Sequence, residues 1–427
     1  MQNSHELVST IKNDRKSMIH LKLAKVFFAL LLLYQMWFQS AVRPVSYMLL
    51  ILGCLMILML FFHYLQNRLN VFKALSKEVG IWFLFFLSSF LSGIFIATDI
   101  NQMMSSVLRD FQFYLVFIAV LMIADEEQSI DFFVTIYLIA ALLSAITAII
   151  AGEEYRRGRI SIADLNPNRL GTMLSYGIVC ALYLISLKKR LYLVLSITSI
   201  LIFFYVLIQT GSRRPFIAAS LLLALWLLFV LLDVLKNLSM IKRIAVIFAL
   251  LLAGAFFYFY LLPIFNNSAL SMRLAKLQEI EDSKRGDMYV HAMNYFRENP
   301  VFGLGYDQYR VVSIFKTYSH STYGELLSTT GIIGIITYFP VYLIITYKLI
   351  KIIRTHIDVL IIQRAKIFLI AMAVMLFHAT AMIHFYGVNS FVMFGIMIAF
   401  CNNSLKAREE QTGGYKTNHL FLHQKPT

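Results

Sequence analysis

Charge is scarce in this sequence. Asp, Glu, Lys and Arg together make up 14% of its 427 residues, against 59% hydrophobic residues. A soluble protein carries about 25% charged residues, so an ordinary globular domain is excluded. Cysteine is scarcer still. Cys54, Cys180 and Cys401 fall in or at the end of apolar runs at unrelated spacings. That excludes a disulfide framework and a thiolate metal site, and leaves three small apolar residues expected to be buried. Carboxylates are few: 23 Asp and Glu face 38 Lys and Arg, with no Asp-x-Asp pair. The oxygen cluster that holds a divalent ion is missing from the outer loops, so no metal and no cofactor is expected. Short alternating strands are missing too, which excludes a membrane β-barrel.

What is present is a series of long apolar runs. They lie near 26–41, 47–64, 80–98, 112–124, 130–151, 171–187, 191–209, 216–235, 244–264, 331–347, 367–385 and 387–401. Runs of about 18 residues or more can cross ~30 Å of hydrocarbon. The pattern predicts an all-α polytopic membrane protein of about twelve spans, with the fourth the shortest. One transmembrane domain, 26–401, follows a segment at 1–25 that is polar and basic and precedes a tail at 402–427. The apolar run after residue 25 lacks a small-residue cleavage site and reads as a signal anchor.

The net charge of +15 does not point to nucleic acid. In a chain this apolar, Lys and Arg belong in cytoplasmic loops. With both termini cytoplasmic, the inner segments hold 23 of the 38 basic residues, the sign the rule requires. The loops at Lys188–Arg190 and Lys236–Arg243 are short basic stop signals. The outer basic residues gather in three places: Arg156, Arg157 and Arg159 continuing to Arg169; Arg213-Arg214; and a long loop at 265–320. Arginine suits bidentate contact with phosphate. Singly, each arginine could instead reach lipid headgroups or pair with Glu153, Glu154, Glu281 or Asp282. As a set they point to a shared anionic ligand.

The long loop is the feature around which the chain is organised. It stays polar from Asn266 to His320 and carries Arg285, His291, Arg297, Asp307, Arg310 and His320. Asp287–Phe296 has a helical stripe, with Arg285 just ahead of it. Glu298-Asn299-Pro300 ends that helix, and Gly303-Leu-Gly305 follows as a tight turn. His320 precedes Ser321, Thr322 and Glu325, a helix-start pattern. It reads either as a residue at a helix end or as a general base, because imidazole titrates near neutrality. Gly331 and Gly334 allow close packing of a neighbouring helix. Upstream, Asn166-Pro167-Asn168 is a turn that caps the next helix, or else that helix start and Arg159 and Arg169 form an anion site. His378 and His384 fall in the eleventh run, where ionisable residues invite a functional reading.

At these residues the sequence resembles the O-antigen polymerase and O-antigen ligase superfamily. His320-Ser321 followed by Gly331 and Gly334 is similar to that family's His, Asn or Ser, then Gly-x-x-Gly signature; position 321 is Ser where the family often has Asn. Arg285, the short helix, Pro300 and Gly303-x-Gly305 match its next motif. Ser212-Arg213 and Asn166-Pro-Asn168-x-x-Gly171 match its earlier ones. The resemblance implies a metal-independent, GT-C-like membrane glycosyltransferase at the outer face of the bacterial cytoplasmic membrane. Its donor would be an oligosaccharide on undecaprenyl pyrophosphate. Arg285 and Arg213 or Arg214 would hold the pyrophosphate, with Arg159 or Arg169 as a further contact. His320 would activate the acceptor hydroxyl, with inversion at the anomeric carbon. Asn166, Asn168, Ser321, Gly303 and Gly305 would support the site. Flippase and chain-length regulator proteins would be partners.

Polymerisation into capsule, exopolysaccharide or O-antigen is the leading expectation. A ligase moving the glycan to another acceptor is the alternative with the same chemistry. A flippase is the alternative of another class, but transporters place charge near the midplane on broken helices, and the span interiors here are nearly free of charge.

Overall fold

The computed structural model describes residues 2–38, 48–67, 69, 76–127, 130–154, 158–162, 165–237, 239–256, 258–259, 262–266, 268–275 and 281–421. Arg156 and Arg157, named above among the outer arginines, lie outside them. The described chain is almost wholly helical, as the bilayer requires: backbone groups in hydrocarbon must be satisfied within their own segment. In order come α1 (Gln2–Leu33), α2 (Met48–Gln66), α3 (Lys77–Ile96), α4 (Ile100–Glu127) and α5 (Asp131–Ala151). A two-residue hairpin pairs Glu153–Glu154 with Ile160–Ser161. Then follow α6 (Pro167–Ser186), α7 (Arg190–Gln209), α8 (Arg213–Asn237) and α9 (Met240–Phe256). The long loop contains α10 (Leu262–Asn266), α11 (Ala269–Ala275), α12 (Glu281–Glu298) and α13 (Tyr309–Val312). The chain closes with α14 (Thr322–Tyr338), α15 (Pro340–Thr355), α16 (Val359–Ala379), a 3-10 turn (His384–Tyr386) and α17 (Val388–Phe421).

Ten of these stretches, counted among the described residues, are long and apolar enough to cross a membrane. Each answers to one of the twelve runs; the runs at 216–235 and 244–264 form α8 and α9 without joining the ten. The protein is a multi-pass all-α membrane protein. The centre of the bundle is α6, in which 83% of the apolar window is buried, against 28% for each of the first two spans. Its small residues let neighbours close in: a Cβ at Gly177 would meet the Phe203 ring at 2.7 Å, and one at Gly171 would meet Pro215 at 2.8 Å. The outer helices turn Leu, Ile and Phe side chains outward, toward lipid. A groove of ≈ 390 Å³ lined by Leu31, Leu49, Met56 and Phe113 is apolar surface of this kind and holds no charged group.

Four boundaries differ from the sequence pattern. The fourth span begins at Ile100 rather than 112, because Gln102, Ser106 and Asp110 turn inward to polar partners. The helix at 322 starts nine residues before the apolar run at 331. Its Ser328, Thr329 and Thr330 hydroxyls donate back to the carbonyls four residues earlier, at 2.8, 2.6 and 2.8 Å, so a polar segment stays helical while buried. α12 begins at Glu281 rather than Asp287, with acidic residue types at the end of the helix that favours them; Arg285 therefore sits within the helix. From Gln2 on, the polar and basic segment forms the first part of α1. His384 lies in the connector after α16, outside the span. Among the cysteines, Cys180 and Cys401 are buried, but Cys54 is exposed on α2.

Candidate active site

The connectors at 97–99, 210–212, 299–321 and 380–387, with residues 152–154, 158–162 and 165–166, come together at one end of the bundle, and side chains lace them into one surface. Gln308 Nε2 donates to the Asp99 carbonyl at 3.0 Å, and its Oε1 accepts from the Asp99 amide at 2.8 Å. Thr322 Oγ1 donates to the Met382 carbonyl at 2.6 Å, and Arg214 Nη1 donates to the Thr380 carbonyl at 3.0 Å.

The glycine motif works through backbone contact. Gly303, Gly305 and Gly331 have φ of 68°, 94° and 62°. The Leu304 amide donates to the Ser328 carbonyl at 2.8 Å, and the Ile332 amide donates to the Pro300 carbonyl at 2.9 Å. A Cβ on Gly303 would lie 2.5 Å from the Thr329 carbonyl carbon, and one on Gly331 would lie 2.4 Å from the Val301 oxygen. What Gly331 admits is therefore the turn at 300–303, not a neighbouring helix, and α14 kinks there. The turn is thus fixed against the helix whose N-terminus carries His320.

His320 sits one residue before the Ser321 N-cap, whose hydroxyl accepts from the Gly324 amide at 3.3 Å. Glu325 reaches back to accept from the Ser319 amide at 2.7 Å. Between these anchors His320 takes φ 58°, a conformation that costs a non-glycine residue of order 1 kcal/mol or more and collects at functional sites. Its ring lies 4.3 Å from that of Tyr318. Burial, then Arg285, then Arg214 lower the imidazole to about 4. The ring is neutral at physiological pH, as a proton acceptor must be.

Residues from four helices converge on this corner, three of them arginines. A cavity of ≈ 320 Å³ is lined by Asn168 of α6, Arg213, Arg214, Pro215 and Ile217 of α8, Arg285 of α12, and Phe377, His378, Ala381 and Met382 at the end of α16. Both adjacent arginines, 213 and 214, line it. Beside it, Tyr318 collects further charge. Burial raises its phenol, Arg169 and Arg310 draw it back down, Glu325 pushes it up, and Arg285 draws it down again. Arg169 is exposed at this surface and is not among the residues that line the cavity.

Arg159 has a different role. Its Nε donates to the Thr210 carbonyl at 2.8 Å, and its Nη2 donates to Asn168 Oδ1 and Ser212 Oγ, both at 3.1 Å. It fixes the turn that launches Arg213 and orients Asn168. Asn166 caps α6, accepting from the Asn168 amide at 2.8 Å with Pro167 in the first turn. The capping reading of the Asn-Pro-Asn tripeptide therefore holds, and it aims Asn168 at the cavity.

A second set of charged residues was given no role from sequence, although Asp307 and Arg310 stood out as part of the polar loop. Arg109 makes a bidentate pair with Asp110, at 2.8 and 2.9 Å. Arg310 pairs with Asp307 at 2.7 Å, and Asp307 also accepts from Ser106 and Gln102 at 2.6 and 2.8 Å. Both guanidinium groups lie over the Tyr386 ring, at 5.5 and 5.7 Å. Burial works to lower the Arg310 guanidinium, but Asp307, with Tyr386 and Glu325, outweighs it and holds it above its ordinary value. The available signals were Arg109-Asp110 at the edge of an apolar run and an aspartate two residues after Gly305, at φ 59°.

Residues 197–339, about a third of the chain, match the family model described as O-antigen ligase. The matched stretch contains Arg213, Arg214, Arg285, the glycine turn, His320 and the kink, and it supports the O-antigen ligase and polymerase superfamily. No curated protein matches the chain.

Proposed function

We propose, with the O-antigen ligase and polymerase superfamily as premise, that this membrane glycosyl-transferring enzyme polymerises oligosaccharide repeat units carried on undecaprenyl pyrophosphate. The family supports a role in polysaccharide assembly; the rest is our reading. The reaction belongs at the outer face of the cytoplasmic membrane, with both termini inside, and yields capsule, exopolysaccharide or O-antigen. The observation that carries it is the convergence of Arg213, Arg214, Arg285 and Asn168 on one cavity, with His320 in the field of two of those arginines.

In the proposed step an acceptor sugar hydroxyl gives its proton to a His320 ring nitrogen. Its oxygen bonds to the anomeric carbon of the donor glycan. The bond from that carbon to the diphosphate oxygen breaks, and the electron pair leaves with the diphosphate. The products are the lengthened glycan and undecaprenyl diphosphate. Negative charge grows on the leaving group, and preorganised guanidinium groups stabilise it in the transition state more than in the ground state. The same anion offsets the arginine charge that suppresses His320 basicity, so the base strengthens once the donor is bound. Catalysis without a divalent ion is part of the proposal, with the arginines supplying the positive charge.

A second reading, transfer of the finished glycan to a separate acceptor, is favoured by the description of the matched family as a ligase. One assay separates the two. Purified protein in nanodiscs receives a lipid-linked repeat unit with EDTA present, and products are resolved on a gel. A ladder made from that substrate alone supports the polymerase. Consumption that requires an added acceptor supports the ligase. No consumption under either condition sinks the enzyme reading and leaves transport as the next to test.

A further inference from the structure

His378 is unused by the mechanism above, yet it is placed as a ligand would require. It closes the last turn of α16, where the Ala381 and Met382 amides both donate to its carbonyl at 2.9 Å. Its side chain is 1% exposed. Neither ring nitrogen has a hydrogen-bond partner among the described residues. The residue nonetheless lines the ≈ 320 Å³ cavity beside Arg213, Arg214, Arg285 and Asn168.

An imidazole carries at least one N–H donor, and buried polar groups in folded proteins are almost always satisfied. Aromatic packing holds the ring in place: Tyr176 meets it edge-on at 6.0 Å. That packing accounts for the ring's position but not for its two nitrogens. His384 makes a contrast. It is equally buried, but its Nδ1 is 2.7 Å from the Tyr342 hydroxyl, so the fold has used one nitrogen of that ring and left Nε2 without a partner among the described residues. His378 lines the cavity, so an occupant of that cavity can supply the partner. The lining defines the chemistry of that occupant. Three guanidinium groups and an amide select an anion with several oxygens. A histidine adds a directional donor where a fourth arginine would add another fixed charge and more repulsion in the empty site.

We propose that His378 donates a ring N–H to a phosphoryl oxygen of a diphosphate held in this cavity, making it a positioning residue for the leaving group. The inference rests on the reading of the cavity as a diphosphate site, and the experiment separates the two. The full chain in nanodiscs is titrated with inorganic pyrophosphate and, separately, with undecaprenyl diphosphate, reading Kd and the ligand-induced rise in Tm. His378→Phe keeps the ring packing and removes both nitrogens. His378→Met is a second variant without a donor, should the Phe ring disturb the fold. His378→Gln retains a donor. The Phe and Met variants are expected to bind about tenfold more weakly, the scale of one hydrogen bond to a charged group. The Gln variant is expected to stay within about threefold. A loss for both probes, or for the lipid diphosphate alone, supports the contact. Native-like binding by Phe or Met overturns it while leaving the cavity assignment standing. If the native chain binds neither probe, the diphosphate reading itself fails, and this inference with it.

Discussion

Two sets of arginines meet at the loop end of this bundle, and they are built differently. Arg109 and Arg310 each hold a fully buried carboxylate, Asp110 and Asp307, and flank one tyrosine ring. Arg213, Arg214 and Arg285 line a cavity whose described lining contains no carboxylate. The first set is charge-balanced within the fold, so removing either partner leaves the other charge buried and costs stability. The second set gathers three guanidinium groups around open volume, where an anion with several oxygens can reach them all. At the opposite end one basic residue fits the first pattern: Lys348 Nζ reaches buried Glu78 at 2.6 Å and Asn402 at 2.8 Å. Arginines gathered around a cavity, rather than arginine count, are what the proposed site rests on.

The sharpest way to break this comparison is at the base. His320→Gly removes the imidazole and is expected to lower kcat roughly 10²–10⁴-fold, the usual worth of a general base. Because position 320 has φ 58°, glycine relieves strain there, and Tm should hold or rise slightly. Activity retained in this variant would remove His320 from the reaction.

Next in size is the direct contrast between the two sets. Arg285→Ala is expected to lower kcat about 10²–10³-fold, as loss of one preorganised donor does, with Tm little changed. Arg310→Ala should do the reverse. It strands Asp307, which keeps Gln102 and Ser106 as partners, and so should cost roughly 3 kcal/mol of stability. Thermal unfolding and steady-state rates on the same preparations read both. Equal activity losses with unchanged stability in the two variants would erase the distinction.

How much of this was legible beforehand follows from which interactions are local. The spans, the cap at Asn166, the helix start at Ser321 and the turn at Gly303–Gly305 all depend on residues within a few positions of one another. Each was readable as a pattern. The arginines of the cavity were readable as a set, because positive charge outside is anomalous in a membrane chain. The ion pairs of Arg109 and Arg310 were not. Asp307 meets Gln102 and Ser106 across some two hundred residues, a closeness that no local periodicity encodes. Arg159 was legible as an arginine of the site but not as the tie between Thr210, Ser212 and Asn168, for the same reason. Hydropathy alone placed only the later part of α14, because its buried hydroxyls satisfy themselves on their own helix; the cap pattern at Ser321 marked its start.

A smaller effect follows from Arg159. Arg159→Lys keeps the charge but gives up the planar fork that reaches three acceptors at once. The launch point of Arg213 should loosen, and the KM for the lipid-linked donor should rise about tenfold, with kcat falling less. Unchanged KM would show that the turn at 210–212 holds Arg213 without help.

The smallest effect is the most specific to the cavity set. His320 is lowered by burial first and then by Arg285 and Arg214, and no arginine of the paired set is among those causes. The reacting form is the neutral ring, so kcat/KM should decline only on an acid limb near pH 4, well below the ordinary histidine value of about 6.5. In kcat, which reports the enzyme with its donor bound, the diphosphate offsets both guanidinium groups, and the limb should lie at higher pH. Arg214→Met removes one of the two charges. It should move the kcat/KM limb upward while leaving it below 6.5, because burial persists. Arg109→Met should leave the limb where it is. A limb that moves equally in both variants would mean that the whole loop end acts as one undifferentiated field, and a limb near 6.5 in the native chain would place His320 in open water rather than between two arginines.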